Sequence, residues 1–187
     1  MARPRTVDDE SLLDAALGLL HEGGPAAVTF ASVARTAGLA PATLVQRFGS
    51  KERLMEAALQ RAWDDLEART AAGDAAEPVS PEGAVALLVG LSGYGDRARY
   101  ADSLLILRED FRNPQLRARG DSWGRSLAQA LGRRLTRDPG RQPALGRAMA
   151  SQWQGALLWW AFSRDGAVED YVAAELAAFV AMVAGEA

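Results

Sequence analysis

Apolar residues recur at helical spacing along nearly the whole of this 187-residue chain. Leu12, Leu13, Ala16, Leu17 and Leu20 repeat at i, i+4 and i+7 to i+8, which puts one apolar face on a first helix. Thr6 with Asp9 three residues on resembles a capping box with Asp in the Glu position, and Gly23-Gly24-Pro25 predicts the end of that helix. Thr29 then caps a short segment, 30 to 36, with Val33, Ala34 and Ala37 facing inward, and Gly38 breaks it. Pro41 suits the first position of another short helix, where its missing N–H costs nothing, and that helix ends near Phe48-Gly49. Ser50 caps a longer helix carrying Leu54, Ala58, Leu59, Ala62 and Leu66 on one face. It is expected to fray near Ala71-Ala72-Gly73, with residues 73 to 79 as a linker.

Further starts follow at Ser80-Pro81, Asn113-Pro114 and Pro143, each with proline just inside the helix. Asp165-Gly166 closes the third of these, and a last helix runs through Val172, Leu176, Phe179, Val180 and Val183. Period-two alternation reaches no further than the scrap Ala27-Val28-Thr29-Phe30, too short for a strand. The pattern therefore predicts an all-α protein with three short and about six longer helices. It divides into residues 1–53, a compact N-terminal domain with 50–70 as a connecting helix, and residues 71–187.

Composition narrows the chemistry. With 49% hydrophobic and 24% charged residues the chain can bury a core. It has no cysteine, which removes disulfides, thiolate zinc sites and cysteine nucleophiles, and its one histidine, His21, leaves no histidine pair for a metal. No enzyme activity, metal or cofactor is expected. Gly90-Leu91-Ser92-Gly93-Tyr94 falls short of a nucleophile elbow because Tyr94 stands where the last glycine belongs, and no strand precedes it. Nothing approaches the ~20 apolar residues of a membrane span, and the N-terminus lacks the apolar run of a signal peptide, so a cytoplasmic location is expected.

The short helix, the tight turn Ala37-Gly38-Leu39-Ala40 and the proline-opened second helix have the layout of a helix-turn-helix, whose second helix enters the DNA major groove. Short helix pairs of this kind also occur without DNA, so spacing alone does not decide. The residues go further. Thr29, Val33-Ala34, Ala37-Gly38, Thr43-Leu44, Phe48 and Ser50-Lys51-Glu52 with Leu54 resemble the DNA-binding signature of the TetR family of bacterial transcription regulators, over about a quarter of the chain. Two positions depart from the family pattern. Ala40 replaces the usual serine before the recognition helix, at a cost of roughly 1 kcal/mol in capping, and Val45 replaces a tyrosine, losing a phosphate hydrogen bond.

The whole chain carries a net −3, yet residues 28 to 53 hold Arg35, Arg47, Lys51 and Arg53 against Glu52 alone. Phosphate attraction depends on that local face. The expected DNA contacts are Thr29, Pro41, Ala42, Thr43, Val45, Gln46, Arg47 and Lys51. Among these Gln46 suits adenine, Arg47 suits guanine or phosphate, and the methyl groups of Ala42, Thr43 and Val45 suit thymine. Lys51, the chain's one lysine, stands just inside a helix N-terminus, where its ammonium and the free N–H groups can share a phosphate; a solvated surface lysine is the bland reading. Arg3 and Arg5 precede the first helix, where an arm along the DNA backbone or minor groove competes with simple disorder.

One helix-turn-helix reads too few base pairs, so a homodimer on a pseudo-palindromic double-stranded DNA operator is the physical expectation. The segment 153 to 162 is apolar around most of its circumference and needs two dry neighbours, its own core and a partner subunit. Expected interface residues are Leu157, Leu158, Trp159 and Phe162, with Leu176, Phe179 and Val183 from the last helix. The resemblance implies the same pair of helices, and also a C-terminal pocket for a small hydrophobic effector. Candidates for its lining are Tyr94, Tyr100, Phe111, Trp123, Met149, Trp153 and Trp160, although core packing is the commoner role of such residues. The resemblance thus implies a ligand-responsive repressor; an all-α ligand carrier or interaction module without a DNA partner is the rival reading.

Overall fold

The computed structural model describes residues 7–162 and 166–184, and among them there are nine α-helices and no strand. Arg3, Arg5 and Thr6 lie outside the described residues. Packing divides the chain into two units, and the division differs from the one the sequence suggests. The first unit comprises residues up to Asp65 together with Ala101–Leu116; the second comprises Leu66–Tyr100 and the residues from Arg117 onward.

In the first unit, α1 (Asp9–Ala27) starts from Asp8, whose carboxylate accepts the Ser11 N–H at 2.8 Å. The cap is therefore Asp8, two residues after the expected Thr6. Leu12, Ala16 and Leu20 are the buried positions, as their spacing requires. Gly23 and Gly24 leave helical geometry, and Pro25 to Ala27 add one more turn after the kink. α2 (Phe30–Ala37) and α3 (Pro41–Phe48) follow, then the first part of α4 (Lys51–Ala76). Val33, Ala34, Leu44, Leu54, Ala58 and Leu59 close this core with Leu12, Leu20 and Leu116. Each large side chain buried there contributes roughly 1.5–3 kcal/mol. Leu116 and the half-buried Ile106 come from the distant 101–116 segment, which is why that segment belongs to the N-terminal unit. No periodicity argument could have assigned it, because its partners are about fifty residues or more away in sequence.

In the second unit, the end of α4 meets α5 (Pro81–Gly90), the start of α6 (Arg97–Arg112), most of α7 (Pro114–Leu135), α8 (Gln142–Phe162) and α9 (Val168–Ala184). Leu87, Leu88, Leu131, Met149, Trp153, Leu157, Trp160, Val172 and Leu176 form its buried core. A Cβ on Gly146 would overlap the Ala128 carbonyl, and one on Gly132 would overlap Gln142, so these glycines let the α7 and α8 backbones touch. The expected linker from 73 to 79 is not observed. α4 is helical to Ala76, and only residues 77 to 80 connect it to α5. Gly73 serves close packing there, since its Cβ would press on Leu87, and Arg134 fastens the segment. The Arg134 guanidinium, with a fully buried side chain, donates to the Asp74 carboxylate and to the carbonyls of Asp74, Glu77 and Pro78.

Candidate nucleic-acid interface and effector core

Local caps frame α2, and α3 begins without a side-chain cap. The Thr29 hydroxyl accepts the Ser32 N–H at 3.0 Å while the Ser32 hydroxyl accepts the Thr29 N–H at 2.9 Å, a reciprocal capping box. Gly38 ends α2 at φ 68°, the left-handed conformation that glycine adopts without a Cβ penalty, and its N–H returns to Ala34 and Arg35. Ala40 opens α3 with no side-chain hydrogen bond, and Pro41 at the first turn is what remains to start that helix.

Leu44 is fully buried and Phe48 half-buried, so α3 is anchored on that side. Pro41, Ala42, Val45 and Gln46 are exposed, with Thr43 half-buried beside them, and form one outward face. Val45 is 47% exposed, high for a large apolar side chain, and is consistent with a surface that awaits a partner. Thr29 is exposed too, but its hydroxyl is committed to the cap.

The two cations singled out in the sequence are differently placed. Arg47 turns back onto α1: its Nη1 donates to the Val7 carbonyl at 2.6 Å and to Asp9 Oδ1 at 3.1 Å. It braces α3 in this state, and base reading would require it to leave Asp9. Lys51 is half-buried, and its Nζ donates to the Pro25 carbonyl at 3.2 Å, which leaves two of its three N–H donors uncommitted in that bond. Beside it opens a groove of 460 Å³ lined by Met55, Leu59, Leu116 and Arg112, among others. Ser50 Oγ accepts the Arg53 N–H at 3.2 Å and so caps α4. Glu52, next along, has its carboxyl held below the ordinary value by its own backbone N–H and by Ser50.

Six of the seven expected effector residues lie in one cluster of the second unit: Tyr94, Tyr100, Trp123, Met149, Trp153 and Trp160. Tyr94 and Tyr100 meet edge to face at 5.1 Å between centroids, and Tyr100 meets Trp160 at 6.2 Å. The indole N–H groups are used within the chain: Trp153 donates to Ser92 Oγ at 2.8 Å, Trp123 to Thr70 Oγ1 at 3.0 Å and Trp160 to the Gly166 carbonyl at 3.2 Å. Burial pushes the Tyr94 hydroxyl pKa up, aided by Tyr100 and opposed by the nearby Arg69 cation. Phe111 does not join them. It belongs to the first unit and is 60% exposed, because the α6 turn that buries Ile106 and Asp110 points Leu104, Leu107 and Phe111 the other way. A cavity of 370 Å³ adjoins Trp123, lined also by Glu67, Thr70, Asp74 and Ser126.

The expected interface residues divide similarly. Leu157 and Leu176 are fully buried in the chain's own core, which takes them out of a subunit surface. Phe179 and Val183 are half-buried. Leu158, Trp159 and Phe162 are 44%, 64% and 74% exposed, and the Trp159 and Phe162 rings lie 6.0 Å apart.

One residue that sequence reasoning missed is Arg97. Its Nε and Nη2 are buried with no hydrogen-bond partner among the described residues, and its guanidinium carbon lies 5.5 Å from the Trp160 ring centroid. A signal existed: Arg97 has tyrosine at i−3 and i+3 and alanine at i+4, with no carboxylate at helical spacing.

Known proteins resemble the chain in two ways. The family model for bacterial regulatory proteins of the tetR family matches residues 12–58. The HTH-type transcriptional regulator BetI of Rhizobium meliloti (strain 1021) is 45% identical over 51 residues, which is 27% of this chain and 25% of that protein. The likeness to this relative thus spans a quarter of its length. Over nearly the whole chain the fold is that of solved regulators. A transcriptional regulator from Rhodococcus sp. Rha1 aligns with a TM-score of 0.78 at 16% identity, covering 96% of this chain and 97% of that one. A putative transcriptional regulator from Saccharomonospora viridis, solved in complex with choline, aligns with a TM-score of 0.74 at 20% identity, covering 92% and 95%.

Proposed function

We propose, from the match of residues 12–58 to the family model for bacterial regulatory proteins of the tetR family, that this chain is a homodimeric repressor that binds a pseudo-palindromic duplex operator through α3. A small lipophilic ligand held in the second unit modulates that binding. It works as a regulator and not as an enzyme. Among the described residues no helix is long and apolar enough to cross a membrane, in keeping with action in the cytoplasm.

The observation that carries this reading is the exposed face of α3. A helix with Leu44 fully buried beneath it and Ala42, Val45 and Gln46 bare above it, preceded by the tight turn at Gly38, suits a major groove. Two exposed aromatic rings on α8 support the second subunit that a two-fold operator demands. The choline bound by the Saccharomonospora regulator supports ligand control as a use of this fold, without naming the ligand here.

The test is selection of bound sequences from a random duplex pool, followed by affinity measured across salt. A two-fold consensus and a steep fall of log K with log salt are expected. Failure to hold any duplex at low salt would leave the ligand-carrier reading instead.

A further inference from the structure

The second unit contains an arginine whose carboxylate-binding edge is unoccupied by any described residue. Arg97 opens α6, and the two nitrogens of its guanidinium left without a hydrogen-bond partner are Nε and Nη2. These form the side-on fork of arginine, two parallel N–H groups spaced to match the two oxygens of one carboxylate. The same unit shows that fork filled: Arg119 donates from Nε to Glu67 Oε1 at 2.9 Å and from Nη2 to Glu67 Oε2 at 3.0 Å.

The surroundings of Arg97 add to the argument. Its guanidinium lies over Trp160, which meets Tyr100, which meets Tyr94, so its neighbours are aromatic. The face of an indole offsets part of a cation's lost hydration but accepts neither N–H in the way a carboxylate does. Asp96 caps α6, its carboxylate accepting the Arg99 N–H at 2.9 Å, yet it makes no hydrogen bond to the Nε/Nη2 edge of Arg97. A bound water would satisfy the two donors and leave the charge unpaired; a carboxylate does both. Buried unsatisfied donors are rare enough in folded proteins to require a cause.

We infer that the second unit binds an amphipathic carboxylate, with its acid group on the Nε/Nη2 edge of Arg97 and its apolar body among Tyr94, Tyr100 and Trp160. This rests on the effector reading above and gives that ligand a charge. It also separates this chain from its fold relative, because a quaternary ammonium such as choline would meet a like charge at Arg97. Gly93 and Gly95 flank Tyr94 in the segment that joins α5 to α6, and both are exposed.

The experiment compares three probes of one skeleton, 3-phenylpropionate, 3-phenylpropionamide and 3-phenylpropylamine, by melting temperature and tryptophan emission without DNA. The carboxylate is expected to raise Tm and alter emission, and to bind about 10- to 100-fold more tightly than the amide, with the amine weakest. Arg97→Lys keeps the charge but not the fork and should lose about tenfold for the carboxylate alone; Arg97→Gln should lose the preference altogether. Circular dichroism melts establish that both variants fold. Equal binding of acid and amide, no binding of the acid, or an acid preference that survives in Arg97→Gln would overturn the inference. DNA enters only in a separate titration. If the acid binds through Arg97 and operator affinity does not change, the carboxylate site stands and its role as effector falls.

Discussion

At Lys51 one side chain has two tasks that can be measured apart. Its Nζ donates to the Pro25 carbonyl, which ties the start of α4 to the last turn of α1, and Lys51 is the first residue of α4, where a helix N-terminus stabilises phosphate. Lys51→Ala therefore loses a modest structural hydrogen bond, about 0.5–1.5 kcal/mol, read as a lower Tm. It should also weaken specific and non-specific duplex binding by similar factors and reduce the slope of log K against log salt by about 1. A lower Tm with an unchanged slope would confine Lys51 to the structural task. Gln46 has no such second duty in any described bond and sits exposed on α3. Gln46→Ala should change base preference at one position per half-site, at about 1–3 kcal/mol, and selection returning an unchanged consensus would remove it from base reading. Arg47 is the contrasting case, since its ion pair with Asp9 must break before it can reach DNA.

α3 starts without a side-chain cap, and that is testable. Ala40 offers no cap, so Ala40→Ser should stabilise the protein by about 0.5–1 kcal/mol if the new hydroxyl accepts the Thr43 N–H, measured by denaturant unfolding. The end of α4 depends instead on Asp74. Burial pushes its carboxyl pKa up, but hydrogen bonds from Arg133 and Arg134 outweigh that and hold it below the ordinary carboxylate value. A depressed pKa in the fold means stability that is present above the unfolded-state value and lost as pH falls through the folded one. Asp74→Asn should flatten that acid limb and, at neutral pH, cost toward the lower end of about 3–5 kcal/mol, because Arg134 keeps its carbonyl partners. A urea titration at pH 7 and pH 3 checks both. This same contact explains what could be read from the sequence. The Thr29 and Ser50 caps, the proline starts and the Leu12, Val33 and Leu44 faces are local and were legible, whereas the α1 cap is Asp8 and not the expected Thr6. Gly73 read as a helix end because composition shows a glycine but not the Leu87 side chain pressed on it. Phe111 read as a pocket residue and Leu157 as an interface residue because apolarity does not say which neighbour a side chain meets. Arg97 has no carboxylate at helical spacing, a hint the sequence does carry, but its unpaired donors are defined only by what the fold brings near them.

For the whole molecule the open question is the second subunit, and the choice of residue decides whether a mutation can answer it. Leu157 is fully buried in its own chain, so a charge there would unfold the second unit whatever its assembly. Leu158, one position on, is 44% exposed, and a carboxylate at that place in an isolated subunit stays hydrated at small cost. If a partner covers this face, as Trp159 and Phe162 exposed beside it suggest, Leu158→Glu buries an unpaired charge upon association and costs several kcal/mol. Each 1.4 kcal/mol is tenfold in the dimerisation constant, so that penalty moves a micromolar dimer to predominantly monomer at ordinary concentrations. Sedimentation equilibrium on the folded variant should show that shift with the monomer's helical circular dichroism intact. Operator affinity should fall with it, because a monomer places one recognition helix where two are needed. Trp159→Glu and Phe162→Glu repeat the test from neighbouring positions. Dimers in all three variants would move the interface away from this end of α8.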